Sequence, residues 1–170
     1  VLASVIENNK NKPVKIRSTN GVLVNGVVDV NVRFSRCCSP VPGDEIVGFI
    51  TRGRGISIHR TDCVNVIALP ESEKSRLVDV EWQQESFHSN EKFMAEIKIF
   101  CNNRIGIFAD ISKIFTEREI DIASMSSKTS KQGTATINMS FEVGGVDALQ
   151  QLINRLMAVN SVIDIERSNG

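Results

Sequence analysis

Four side chains within the first 63 residues have the chemistry to share one metal ion. Cys37 and Cys38 are adjacent, and His59 and Cys63 follow with three residues between them. Three thiolates and one imidazole make a donor set that zinc takes in a tetrahedron. The spacing departs from the usual zinc pattern, in which two residues separate paired cysteines. Neighbours on an extended strand point to opposite faces, so an extended Cys37-Cys38 pair would send only one sulfur to a shared ion. The other reading of the pair is one small buried hydrophobe beside one partner-facing thiol. A zinc enzyme would further need an open coordination position and a general base, and no residue near these cysteines is nominated as that base.

A second group is cationic. Arg52-Gly53-Arg54-Gly55 places two guanidiniums on a glycine-rich turn, with His59-Arg60 shortly after. Guanidinium forks match phosphate oxygens. Lys10, Lys12, Lys15, Arg17, Arg33 and Arg36 lie in the same part of the chain. The chain has no Tyr, and Phe34 and Phe49 fall inside strand-like runs. Contacts to an RNA backbone therefore fit better than base stacking. The plainer alternative is a solvated basic turn. A third group is the loop Asn102-Asn103-Arg104-Ile105-Gly106-Ile107, which leads into a helix. Free amides at a helix start receive anions, and Gly106 permits close backbone approach, so a small carboxylate such as an amino acid would fit. The alternative is an ordinary strand-to-helix turn.

No catalytic residue is nominated. His59 and His88 are the two histidines, and no nucleophile–histidine–acid set or glycine-rich phosphate loop ending in Gly-Lys-Ser/Thr can be drawn from the sequence. Cys101 stands apart from the other three cysteines. A disulfide between adjacent cysteines is strained. The start of the chain lacks a basic stretch followed by an apolar core, so a secretion signal is not expected. Reduced thiols in a cytoplasm are the expectation.

The elements that must position these groups fall into two units. Val1–Ile6 is a short apolar piece, and residues 10–21 read as a polar, basic connector. Between residues 22 and 69 the signals are strand-like and hairpin-like. Strands are expected at Val22–Val24, Val30–Phe34, Glu45–Thr51 and Ile56–His59, with a rigid turn at Ser39–Asp44 and a helical turn opened by Asp62–Asn65. Leu77–Trp82 alternates as a further strand. Polar breaks fall at residues 70–76 and 83–92, and the domain boundary is placed in the second.

The last eighty residues are more regular. Phe93–Cys101 alternates as a half-buried strand, Ile107–Glu119 carries an apolar helical face, and Ile120–Met125 reads as a strand. Thr134–Val143 alternates throughout. Val146, Leu149, Leu152, Ile153, Leu156 and Met157 mark an amphipathic helix, and Ser161–Glu166 closes as a strand. The order β-α-β-β-α-β is the ferredoxin-like split pattern, with two helices on one face of an antiparallel sheet. The fold class is α+β.

Charge and composition bound the rest. The 170 residues carry 20 Lys/Arg and 20 Asp/Glu, with 41% hydrophobic residues, a globular composition. Residues 1–63 hold nine Lys/Arg and five Asp/Glu, a net of +4, which leaves −4 for the remainder. An anionic partner would dock on the first part. No apolar run approaches the ~18 residues of a membrane span.

The run from Val32 to Cys63 carries Arg36-Cys37-Cys38-Ser39-Pro40, Pro42-Gly43-Asp44, Thr51-Arg52-Gly53-Arg54-Gly55 and His59-Arg60-Thr61-Asp62-Cys63. It resembles the conserved-cysteine region of the long RelA/SpoT-type (p)ppGpp synthetase/hydrolases, also called the zinc-finger-like or RIS (ribosome-intersubunit) domain. The last eighty residues resemble the ACT domain that follows it in that family. The resemblance implies a non-catalytic C-terminal regulatory module, the hydrolase, synthetase, TGS and helical regions lying elsewhere in a parent that moves pyrophosphate from ATP to GDP or GTP. Residues 1–21 would then be the end of a preceding helical region and a linker, 22–84 a β-rich cysteine domain and 92–170 an ACT domain. The implied partners are large-subunit rRNA on a ribosome holding uncharged tRNA in its A site, the chain's own catalytic domains, and a second copy. Cys37, Cys38, Asp62 and Cys63 carry over as residues of integrity and regulation. Arg52, Arg54 and Arg60 are the expected rRNA contacts. The ACT turn at Asn103, Arg104, Ile105, Gly106 and Ile107 is the expected effector site, with a branched-chain amino acid as ligand, and the alternative function is an amino-acid-sensing, dimerising ACT module. No cofactor is required; zinc at Cys37, Cys38, His59 and Cys63 is the candidate. Three positions depart from the family pattern: Ser39 stands where Asn is usual, Val64 where Pro is usual, and Asn103 where Asp is frequent. The missing carboxylate at 103 would have paired with a ligand ammonium group.

Overall fold

The computed structural model describes residues 21–24, 31–87 and 90–170. The expected helical end and linker before residue 21, and His88, lie outside the described residues.

In the first unit, β1 (Val22–Val24) pairs antiparallel with β6 (Val80–Trp82). A second sheet has the order β2-β4-β3-β5, formed by Val32–Phe34, Ile56–Arg60, Ile46–Ile50 and Leu77–Val78. β3 and β4 form the expected hairpin across the Arg52–Gly55 turn. The other pairings are not hairpins: β2 runs parallel to β4, and β1 meets a strand from the far end of the unit. The run Leu77–Trp82 is also not one strand. It breaks at Asp79, so Leu77 and Val78 pair with β3 while Val80–Trp82 crosses to β1. Alternation identifies an extended chain but is silent on which neighbour takes its hydrogen bonds. A short helix α1, Val64–Ile67, follows Cys63.

The second unit is a four-stranded antiparallel sheet of order β10-β7-β9-β8. Its elements are β7 (Phe93–Asn102), α2 (Ile107–Glu117), β8 (Ile122–Thr129), β9 (Thr134–Val143), α3 (Val146–Met157) and β10 (Val162–Arg167). The ferredoxin-like order expected from the sequence is present. The alternate apolar residues of β7 and β9 are buried beneath Ile111, Ile114 and Phe115 of α2 and Leu149, Leu152 and Leu156 of α3. β8 runs to Thr129, beyond the expected end at Met125. Its second half is polar and exposed because it is an edge strand, held extended by its ladder to β9 rather than by burial.

The two cores meet. Phe34 and Trp82 pack against both. Phe34 stacks on Trp82 at 5.5 Å, and Phe93 of β7 meets each edge-on at 5.6 Å. Val41, from the proline-rich loop of the first unit, is buried in the core of the second.

Candidate functional site

Cys37 and Cys38 sit in a turn at residues 36–38, not in an extended strand. That removes the objection that adjacent cysteines diverge: a turn carries both sulfurs to one side. His59 is contributed by β4, which lies beside β2. Cys63 is the residue before α1, and its carbonyl accepts hydrogen bonds from the amides of Val66 and Ile67. One donor atom from each of Cys37, Cys38, His59 and Cys63 lies within 4.8 Å of every other.

The separations match a metal site. Cys37 Sγ is 3.9 Å from Cys38 Sγ, 3.5 Å from Cys63 Sγ and 3.4 Å from His59 Nδ1, and Cys38 Sγ is 3.8 Å from the same nitrogen. A tetrahedron with zinc–sulfur bonds of about 2.3 Å has edges of about 3.8 Å. The surrounding bonds also fit. His59 Nε2 lies 3.1 Å from Ser35 Oγ, which orients the ring with Nδ1 toward the sulfurs. The amide of Arg60 donates to Cys38 Sγ at 3.3 Å.

Electrostatics separate the donors. Burial holds His59 below its ordinary value, which favours the neutral imidazole a ligand must be. Burial, with two neighbouring sulfurs, pushes Cys38 up to about 12. Burial also raises Cys63. Burial opposes the Cys37 thiolate too, but hydrogen bonds from Asn65, Ser35 and the adjacent thiols outweigh it and bring Cys37 below the usual thiol value. Three thiolates cannot gather here without a compensating cation. Cys37, Cys38, His59 and Cys63 would supply all four ligands that zinc takes in a structural site. The site suits a structural ion, not a catalytic one.

Asp62, expected as a residue of integrity and regulation, is paired with Arg60. Arg60 Nε and Nη2 donate to the two carboxylate oxygens at 2.9 and 2.6 Å. The Arg60 guanidinium holds the Asp62 carboxyl below its ordinary range. This corrects one expectation. Arg60 is 7% exposed, and its Nη1 donates to the carbonyls of Cys38 and Ser168, so it is not free to meet an RNA phosphate. Arg52 and Arg54 do stand on an exposed turn, and no partner is found for either guanidinium among the described residues.

The ACT turn is only partly open. Gly106 takes a left-handed φ of 85°, which favours glycine, and α2 starts directly after it. Ile105 is fully exposed, but Ile107 is wholly buried in the core and unavailable to a ligand. Arg104 is occupied within the chain: it pairs with Asp110 at 2.7 Å and donates to Ser161 Oγ and the Asn160 carbonyl.

Sequence reasoning does not single out Ser35, Asn65, Asp44, Arg167 or Ser168. Ser35 and Asn65 lie two residues from Cys37 and Cys63, so proximity is the one available signal. Arg167 pairs with Asp44 across 123 positions, and nothing linear connects them.

Comparison with known proteins gives a consistent result. Residues 22–83 match the RelA/SpoT RIS domain and residues 89–167 match an ACT domain. The chain is 37% identical over 147 residues to GTP pyrophosphokinase of Streptomyces coelicolor, covering 86% of this chain and 17% of that protein. It is 37% identical over 150 residues to GTP pyrophosphokinase of Escherichia coli K12, covering 88% of this chain and 20% of that protein. The chain thus spans at most about a fifth of these relatives' length. Among solved structures, the ACT domain from GTP pyrophosphokinase of Chlorobium tepidum aligns with 45% of this chain and 99% of its own, at 26% identity and a TM-score of 0.41.

Proposed function

We propose a regulatory role on one premise: this chain belongs to the RelA/SpoT family, of which it carries the RIS domain and the ACT domain. Its residues are the non-catalytic, controlling part of a cytoplasmic GTP pyrophosphokinase that makes (p)ppGpp in the stringent response. The RIS unit docks on ribosomal RNA when uncharged tRNA occupies the A site, and off the ribosome the module restrains the synthetase. Cys37, Cys38, His59 and Cys63 would hold a zinc ion, which supplies cross-linking of the loop, β4 and the start of α1.

The observation that carries this reading is the division of the arginines. Arg60 is committed to Asp62 and the cysteine loop, while Arg52 and Arg54 project from a turn with no partner among the described residues. Unpaired guanidiniums on a short turn suit sequence-independent phosphate binding. Co-sedimentation with ribosomes bearing uncharged A-site tRNA, across a salt series, tests it. Binding should weaken steeply with salt. The double variant Arg52→Glu/Arg54→Glu should lower the slope by about one for each phosphate that is no longer neutralised. Unchanged docking in that variant removes the role given to the turn.

A second reading, a dimerising amino-acid sensor, is favoured by the exposed edge strand β8, which can pair with a second copy. Valine or isoleucine should then raise the melting temperature, and no shift with either excludes them as effectors.

A further inference from the structure

The backbone of the cysteine loop is held from the ACT unit. Ser168, directly after β10, donates through Oγ to the Cys37 carbonyl at 3.2 Å. Arg60 Nη1 donates to both the Cys38 carbonyl at 3.2 Å and the Ser168 carbonyl at 3.1 Å. The amide of Val64, next to Cys63, donates to the Asn169 carbonyl at 2.8 Å. Arg167 grips both carboxylate oxygens of Asp44 at 2.7 and 2.8 Å and reaches the Ser39 carbonyl at 3.3 Å. The Arg167 and Asp44 side chains are only 20% and 10% exposed. On its other side the segment is tied to β7, since the Ser168 amide donates to the Glu96 carbonyl.

Each of the three cysteines therefore has itself or its immediate neighbour bonded within this network. We infer that Arg167, Ser168 and Asn169 complete the outer shell of the Cys37–Cys38–His59–Cys63 site, so that metal binding and docking of the ACT unit on the cysteine loop are one coupled equilibrium. This rests on the metal reading above. Adjacent cysteines reach one ion only while their turn keeps its shape, and the carbonyls of that turn are what Ser168 and Arg60 hold. Groups that orient ligands without touching the metal typically change affinity by about 10–100-fold when removed. Coupling is reciprocal: a segment that tightens the metal site is itself ordered when the metal binds.

Two measurements on this chain test the coupling. The first is zinc affinity by competition with a chromophoric chelator. Arg167→Ala and Ser168→Ala should each weaken zinc by about tenfold, and Arg167→Lys should recover part of the loss. Leu152→Ala, which opens a cavity in the ACT core away from the loop, should leave the affinity unchanged. The second uses the unmodified chain and so survives any failure of the variants to fold. Amide exchange in residues 162–169 should slow when zinc is added, while the β8–β9 hairpin is unaffected. Zinc bound equally well by Arg167→Ala, or protection confined to residues 35–67, overturns the coupling and leaves the metal site standing. An unmodified chain that takes up no zinc overturns the metal site and the coupling together.

Discussion

The ACT unit buries an unbroken core drawn from two long strands and two helices, whereas the cysteine unit buries five residues in its own cluster, Val22, Val24, Val32, Ile56 and Ile58, and gathers three thiols and an imidazole beside them. A core under about 70 residues rarely supplies more than about 3–5 kcal/mol, and such units are commonly stapled by disulfides or metal. The cysteines of this chain are free thiols. The difference teaches where each unit's shape resides. In the ACT unit it is distributed over many apolar side chains, whereas a metal held by the four clustered side chains of the cysteine unit would add a cross-link to a small apolar core. The two are then bound together by Phe34, Trp82 and Phe93, by Val41, and by the Asp44–Arg167 pair.

That contrast can be broken from either side. The largest effect is expected from Cys38→Ser. It should abolish stoichiometric zinc binding and the cooperative unfolding of the cysteine unit, while the β8–β9 hairpin of the ACT sheet keeps its amide protection; metal analysis and hydrogen exchange read both. Next comes Leu152→Ala. Leu152 is wholly buried, and the change should lower stability by about 2–5 kcal/mol in denaturant titrations without altering zinc content. Asp62→Asn is expected to cost less than about 1 kcal/mol, because the Asp62 side chain is 61% exposed and solvent screens its pairing with Arg60. Its sign with pH is fixed. The folded carboxyl lies below its ordinary value, so its contribution is present above about pH 4 and is lost as pH falls through the folded value. The difference in denaturant midpoint between Asp62→Asn and the parent should close over that window. The smallest effect is a gain. Ser39 adopts φ 45°, a left-handed conformation that Asn tolerates better than Ser, so Ser39→Asn should add about 0.5 kcal/mol, read in the same titrations.

The ACT unit is legible in the sequence because its chemistry is periodic. The alternation of Thr134–Val143 and the apolar spacing of Leu149, Leu152 and Leu156 coincide with the faces that are buried. Where the second strand ends is not legible, since Ser126–Thr129 of β8 is extended through pairing alone. The four candidate metal ligands are visible by type, but their convergence depends on a turn at Cys37-Cys38 that an extended reading does not contain. The parallel pairing of β2 with β4, which brings His59 beside Ser35 and Cys37, has no signature in either strand. Arg60 misleads for a related reason. A basic residue among basic residues looks like surface, and its burial follows from Asp62 and from carbonyls of Cys38 and Ser168 that a linear reading does not bring near.

The most direct test is the metal content of the purified chain together with its thermal unfolding before and after chelation. One zinc per chain is expected, with loss of the transition of the cysteine unit and retention of the ACT transition once the zinc is removed. A chain that binds no metal, or one whose cysteine unit unfolds identically with and without it, contradicts the claim that a metal held by the four clustered side chains cross-links this unit.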